Sequence, residues 1–203
     1  MNFDQFTIGF WHPFGAHGQE SPGSIIERKR KEIAVNNWTL WSFQFRHTLD
    51  AWHREILAKG QPRVFVFCSD SKGATDPGRE GSSSRTVDCN GYKLVGDPEW
   101  RPIPSTIRVP HPFRPNRTEV SAFVVNNIFH PIERFPVPPL EWFSENRNPS
   151  WSATSFSTRG ETMIRPGGSI PMRRVRAILE LEAPYLALVR VKPSDELSES
   201  NSN

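Results

Sequence analysis

Apolar and polar positions along the first third of the chain predict an alternating run of strand, helix, strand, helix, strand. Residues 5–11 (Gln-Phe-Thr-Ile-Gly-Phe-Trp) read as a first strand. The following loop, 12–20, carries His12, Pro13, Gly15, His17, Gly18 and Glu20. Ser21-Pro22 then starts a helix, because a serine hydroxyl can accept from free N–H groups and proline suits the first helical position. The helix is expected to reach about Val35, with Ile25, Ile26 and Ile33 on its buried side. Trp38 to Phe45 reads as a second strand, aromatic on both faces, and a strand that is apolar on both faces belongs inside a sheet. Leu49, Trp52, His53, Ile56 and Leu57 recur at the spacing of an amphipathic helix, which Thr48 could cap and Gly60 could end. Arg63 to Cys68 is the clearest core strand.

Periodicity fades over 69–119, where short strands are expected near Tyr92–Val95 and Thr106–Val109. Val120–Phe129 reads as a strand, 131–139 as extended and proline-rich, Leu140–Phe143 as a helical turn, and Thr162–Ile164 as a short strand or helix entry. Arg173–Leu181 fits strand or helix equally, and Tyr185–Val191 reads as the last strand. This order predicts one domain over 1–192, with a loop insertion near 73–104 and a polar, disordered tail over 193–203. Taken alone, the first 68 residues suggest an α/β three-layer sheet. The β-rich, proline-rich second half does not continue that pattern. The preferred fold class is therefore α+β, a small mixed β-barrel flanked by helices.

Composition narrows the chemistry. The 203 residues include 19 Pro, 14 Phe and 7 Trp against 2 Tyr, so rings either fill the core or grip flat ligands. Two cysteines, Cys68 and Cys89, are too few for a disulfide scaffold or a structural zinc site, and no metal or other cofactor is expected. No leader and no membrane span are read from the chain, and a reducing cytoplasm is the simplest location. A net charge of +3 permits a nucleic-acid partner without demanding one. The phosphate-loop, nucleophile-elbow, HExxH and GxGxxG signatures are all absent from the sequence.

Four constellations could carry function. His12 and His17 with Glu20, beside Trp11 and near a helix N-terminus, could contact a ligand, act as acid/base groups, or simply bond their own loop. On the second strand, Trp41, Phe43 and Phe45 share one face while Trp38, Leu40, Ser42 and Gln44 share the other, with Arg46 beyond. One face can fill a core and the other can stack a planar guest. Ser69, Ser71 and Lys72, with Asp70, follow the best strand and could bond a base edge or a phosphate, or form an ordinary turn. The charge run Arg28–Lys31 is a solvated helix face or part of a groove. Arg159, Arg165, Arg173 and Arg174 are candidates for a nucleic-acid backbone.

The early strand ending in Trp11-His12-Pro13, the two helices, and the strand Arg63–Cys68 running into Ser69-Asp70-Ser71 resemble the PUA-like superfamily, in particular its EVE and ASCH branches. The resemblance covers about residues 5–70 and 105–191 and is architectural. It implies a PUA-like barrel that binds DNA or RNA, holding a single base, modified or not, or a nucleotide. The pocket would be formed from Trp11, His12, Trp38, Trp41, Ser42, Ser69 and Ser71, with Arg46 and Lys72 at its rim. Two other classes stay open: a nucleotide- or nucleic-acid-processing enzyme using His12, His17 and Glu20, and a protein–protein interaction domain using the proline-rich 131–139 segment.

Overall fold

Helix α1 shows how local chemistry sets the boundaries of the N-terminal elements. In the computed structural model it spans Pro22–Asn36, and the Ser21 Oγ accepts from the Ser24 N–H at 3.1 Å. It ends where Asn37 turns left-handed at φ 66° and donates its N–H to the Ile33 carbonyl at 2.7 Å. Ile25 and Ile26 are buried and Ile33 packs beside them. Helix α2, Leu49–Leu57, buries Trp52 and Ile56. Gly60 beyond it has φ +75°, the conformation expected of a residue closing a helix. The structure describes residues 6–15, 17, 20–43, 49–58, 60, 63–70, 86–112, 119–130, 140–142, 162–166 and 175–191. The expectations for Thr48, the loop 71–85, the 131–139 segment and the tail lie outside these residues.

Among the described residues, ten strands form one curled, mainly antiparallel sheet: β1 Phe6–Phe14, β2 Thr39–Phe43, β3 Arg63–Asp70, β4 Thr86–Leu94, β5 Arg101–Pro102, β6 Pro110–Pro112, β7 Glu119–Phe129, β8 Leu140–Trp142, β9 Thr162–Pro166 and β10 Val175–Val191. The main path runs β2-β7-β10-β3-β1-β9-β8, and β4 leaves it by pairing with β10, β5 and β6. Among the described residues, only β1 and β3 pair in parallel. The fold is a mixed α+β arrangement. The expected strand–helix alternation therefore yields one parallel pair and no three-layer sheet. The reason lies in β2, which buries side chains on both faces. It is satisfied beside β7, which is likewise buried on both faces, and not beside β1 or β3.

Strand β10 joins two regions that the sequence reads as separate segments. Its first half lies between β3 and β7, and its second half between β4 and β7. The register to β7 breaks between Leu181 and Leu186, where Tyr185 takes φ 70°. The strand-or-helix ambiguity at Arg173–Leu181 resolves as strand from Val175 onward. Three further expectations are corrected. Leu140–Trp142 is a strand and not a helical turn, because it pairs with β9. Thr106–Val109 precedes strand β6 and contains a turn closed by the Ile107 N–H on the Pro104 carbonyl at 2.8 Å. The strand expected near Tyr92–Val95 is longer and earlier, running as β4 from Thr86 to Leu94, and Arg101–Pro102 adds β5 where loop is expected.

The sheet separates two cores. One is aromatic and lies under both helices; it includes Phe10, Phe14, Trp41, Phe43, Trp52 and Phe123. The other is aliphatic, built from Leu40, Val87, Ile107, Val109, Val120, Val124 and Val189. Trp38, Tyr92, Leu94 and Ile103 pack at its margin. Alternation along β2 sends Trp41 and Phe43 to the first core and Leu40 to the second.

Candidate functional site

The His12 side chain lies inside the aromatic core. Sequence patterning puts it in a loop, but β1 continues to Phe14, and His12 sits on that strand at 5% exposure. Its Nε2 accepts the indole N–H of Trp41 at 3.0 Å. An indole only donates, so this bond requires a bare Nε2 and a neutral ring protonated on Nδ1. The rings of Phe14, Trp41, Phe43 and Phe123 surround His12 at centroid separations of 6.1–6.4 Å. Trp41 is 4% exposed and joins the same packed cluster. Stacking a guest on Trp41 would therefore require the core to open.

Strand pairing sets Cys68 beside His12 in parallel register, on the same face of the sheet. This is the composition of a nucleophile–base pair. Burial, however, pushes the Cys68 thiol well above the ordinary cysteine range, so it stays protonated and inert. The juxtaposition cannot be seen in the sequence, where the two residues are 56 positions apart.

His17 and Glu20 occupy a different place, at the entrance to α1. Their backbones pair, with the His17 N–H on the Glu20 carbonyl at 2.9 Å and the reverse bond at 3.0 Å. Burial lowers the His17 pKa, against an opposing pull from Glu20, and its Nδ1 has no hydrogen-bond partner among the described residues. The Glu20 carboxylate is turned to Arg28, which grips it with Nε at 2.7 Å and Nη2 at 2.9 Å. Burial raises the Glu20 pKa, but the Arg28 contacts outweigh it and the net shift is downward. His12, facing the core, and Glu20, neutralised by Arg28, thus do not form a shared acid/base centre. Among the described residues, no three His, Cys, Asp or Glu side chains converge to hold a metal.

The charge run on α1 also separates. Lys29 is 3% exposed. Its Nζ donates to Glu32 Oε2 at 2.8 Å, Thr39 Oγ1 at 3.3 Å and the Arg108 carbonyl at 2.7 Å. Arg28 adds Nη1 bonds to Glu32 Oε1 and to the Arg108 carbonyl, each at 2.9 Å. The Arg108 N–H donates to Glu32 Oε1 at 3.1 Å, and the Thr39 hydroxyl bonds Glu32 Oε2. Burial lowers the Lys29 pKa to about 8, against an opposing pull from Glu32. Two cations and two carboxylates cancel here, and their work is to fasten α1 and β2 to the segment around Arg108. Arg30 is directed to the Ile128 carbonyl at 3.2 Å, leaving Lys31 as the exposed member of the run. The run is therefore mostly structural.

Rings that remain half-exposed lie at the margin of the second core. Trp38 meets Tyr92 at a centroid distance of 5.3 Å and a tilt of 49°, a wedge of two partly buried rings. Ser42 lies on the same face of β2 but four residues away, roughly 13 Å along a strand, which is too far to bond the edge of a base stacked on Trp38. Around the β4–β5 edge, Trp100 lies beneath the Arg190 guanidinium at 4.1 Å, with Lys93 Nζ at 5.3 Å from the ring centroid. Sequence reading misses this trio, because only the pairing of Arg190 with Gly91 brings β10 to Trp100. Trp11, Ser69 and Arg165 lie on β1, β3 and β9, and their side chains fall outside the described residues. Arg46, Ser71, Lys72, Arg159, Arg173 and Arg174 lie outside them altogether.

No family model, curated protein or solved structure matches this chain. Among the described residues, no helix is long and apolar enough to cross a membrane.

Proposed function

We propose that this chain is a noncatalytic nucleic-acid-binding module that holds a base or nucleotide by stacking, on a sheet of PUA-like kind. The observation that carries the proposal is the Trp38–Tyr92 wedge, a half-exposed indole backed by a second ring at 5.3 Å. An aromatic surface of this sort accepts any base, because every base presents a π-face. Trp41 and His12 support the site from behind by fixing β2 and do not touch the guest. The PUA-like part of the reading rests on the order of the early elements and on a curled sheet carrying two helices.

The test is titration of fluorescein-labelled single-stranded DNA and RNA oligonucleotides at low and moderate salt. Binding is expected to weaken as salt rises. Trp38→Ala should reduce affinity roughly tenfold, since stacking on a ring is worth about 1–3 kcal/mol per base. The same variant should stay folded, because the ring stands at the margin of its core. Absence of binding at low salt, or an unchanged affinity in Trp38→Ala, overturns the proposal.

A further inference from the structure

We infer that Arg190 and Lys93, held over Trp100, form a second nucleotide contact, one that takes a backbone phosphate, so that the ligand of this module is a single strand several nucleotides long. The inference extends the reading of the Trp38–Tyr92 wedge and rests on it for the identity of the ligand.

The argument begins with charge. Four described arginines are matched by carboxylates: Arg28 by Glu20 and Glu32, Arg63 by Glu180, Arg101 by Asp97, and Arg108 by Asp88. Arg190 and Lys93 have no carboxylate within 4 Å among the described residues, although Glu119 stands opposite Arg190 in the β7 register. Both cations are instead held over one indole, at 4.1 and 5.3 Å from its centroid. A cation on an aromatic face keeps its hydrogen-bond donors free, so the guanidinium fork and the ammonium both remain able to take phosphate oxygens.

Backbone geometry keeps this surface open. Trp100 lies over Gly91, with its Cε3 3.7 Å from where a Cβ would stand. The neighbouring strand β5 is two residues long, and both are exposed. Tyr92 and Lys93 are consecutive on β4, and so their side chains take opposite faces of the strand. Arg101 pairs with Tyr92, and Trp100 immediately precedes it. The wedge and the Trp100 platform thus flank one short, exposed edge. A flexible strand can round that edge with a base on Trp38 and a phosphate on the Arg190–Lys93 pair, whereas a duplex cannot.

The experiment measures binding of labelled thymidine and uridine oligonucleotides of two and twelve nucleotides across a salt series. It compares the wild type, Trp100→Phe, the double variant Arg190→Gln/Lys93→Gln, and Trp38→Ala, with folding checked by circular dichroism. The double variant is expected to weaken the twelve-mer severalfold and to flatten its salt slope by about 1.4, the release of two counterions from a single strand. Its dinucleotide affinity should stay near wild type, and Trp100→Phe should retain most twelve-mer binding. A folded double variant with unchanged twelve-mer affinity and salt slope overturns the inference and leaves Trp100 as a cover for Gly91. If Trp38→Ala binds like wild type while the double variant does not, the platform stands and the wedge reading falls. If the wild type binds neither length, both fall.

Discussion

The two cores on either side of this sheet use the same strands but different side chains. Along β2 and β7, alternate residues point to opposite faces. Trp41, Phe43 and Phe123 fill the core beneath the helices, while Leu40, Val120 and Val124 fill the other. The first core is tiled with rings in tilted and stacked contacts, such as Phe43 on Phe123 at 4.1 Å and Phe10 against Trp52 at 4.6 Å. It also encloses the polar pair His12–Trp41, whose hydrogen bond satisfies the indole N–H inside the core. The second core is mainly aliphatic, and the rings packed against it, Trp38 and Tyr92, are partly buried. Among the described residues, the rings of this aromatic-rich chain therefore fall into a buried population and a partly exposed one. Abundance of tryptophan predicts neither population.

Substitution on the two faces of one strand separates the cores most sharply. Trp41→Ala removes a buried ring and leaves His12 Nε2 without its donor, and it should destabilise the fold by about 3–5 kcal/mol in urea denaturation. Leu40→Ala, one residue away on the opposite face, should cost about 2–3 kcal/mol. Losses that fail to add in the Trp41→Ala/Leu40→Ala double variant would show that the two faces do not belong to distinct cores.

A smaller effect tests how the cores are tied together. Glu32 joins α1 to Thr39 on β2 and to Arg108 beside the second core. Glu32→Gln keeps an acceptor but removes the charge facing Lys29 and Arg28, and should cost about 2 kcal/mol. Adding Lys29→Met should recover part of that loss, because the double variant no longer buries an ammonium without a carboxylate. A double variant less stable than Glu32→Gln alone would mean that Lys29 is held chiefly by the Thr39 hydroxyl and the Arg108 carbonyl.

The gentlest probe is pH. The Lys29 pKa is lowered by burial to about 8 from an ordinary value of 10.5. Between those values the unfolded chain keeps a proton that the folded chain has lost, so stability should rise with pH through this window. The slope from one proton is at most about 1.4 kcal/mol per pH unit. Measured as the difference in unfolding free energy between wild type and Lys29→Met, the rise should be visible from pH 8 upward. A flat difference would place Lys29 in a more hydrated site than its 3% exposure indicates.

The candidate site was only partly legible in the sequence. Trp38 and Trp41 could be assigned to opposite faces of β2 from alternation alone. Their different fates could not, because both faces of that strand are covered by other segments. His12 looked like a loop residue because Pro13 interrupts the pattern, yet pairing with β3 carries β1 on to Phe14. Trp100, Lys93 and Arg190 gave no sign of belonging together, since Arg190 lies about ninety positions beyond the other two.

What the sequence determines by itself is local: the start of α1 at Ser21-Pro22, the buried stripe of α2, the strands β3 and β7, and the two-faced character of β2. These follow from capping, helical spacing and alternation, all of which act within a few residues. Tertiary structure decides which strand lies beside which, where β10 changes partners, and which cations find carboxylates. Those outcomes depend on surfaces far apart in the chain being buried together, and such complementarity leaves no trace in the spacing of any one segment.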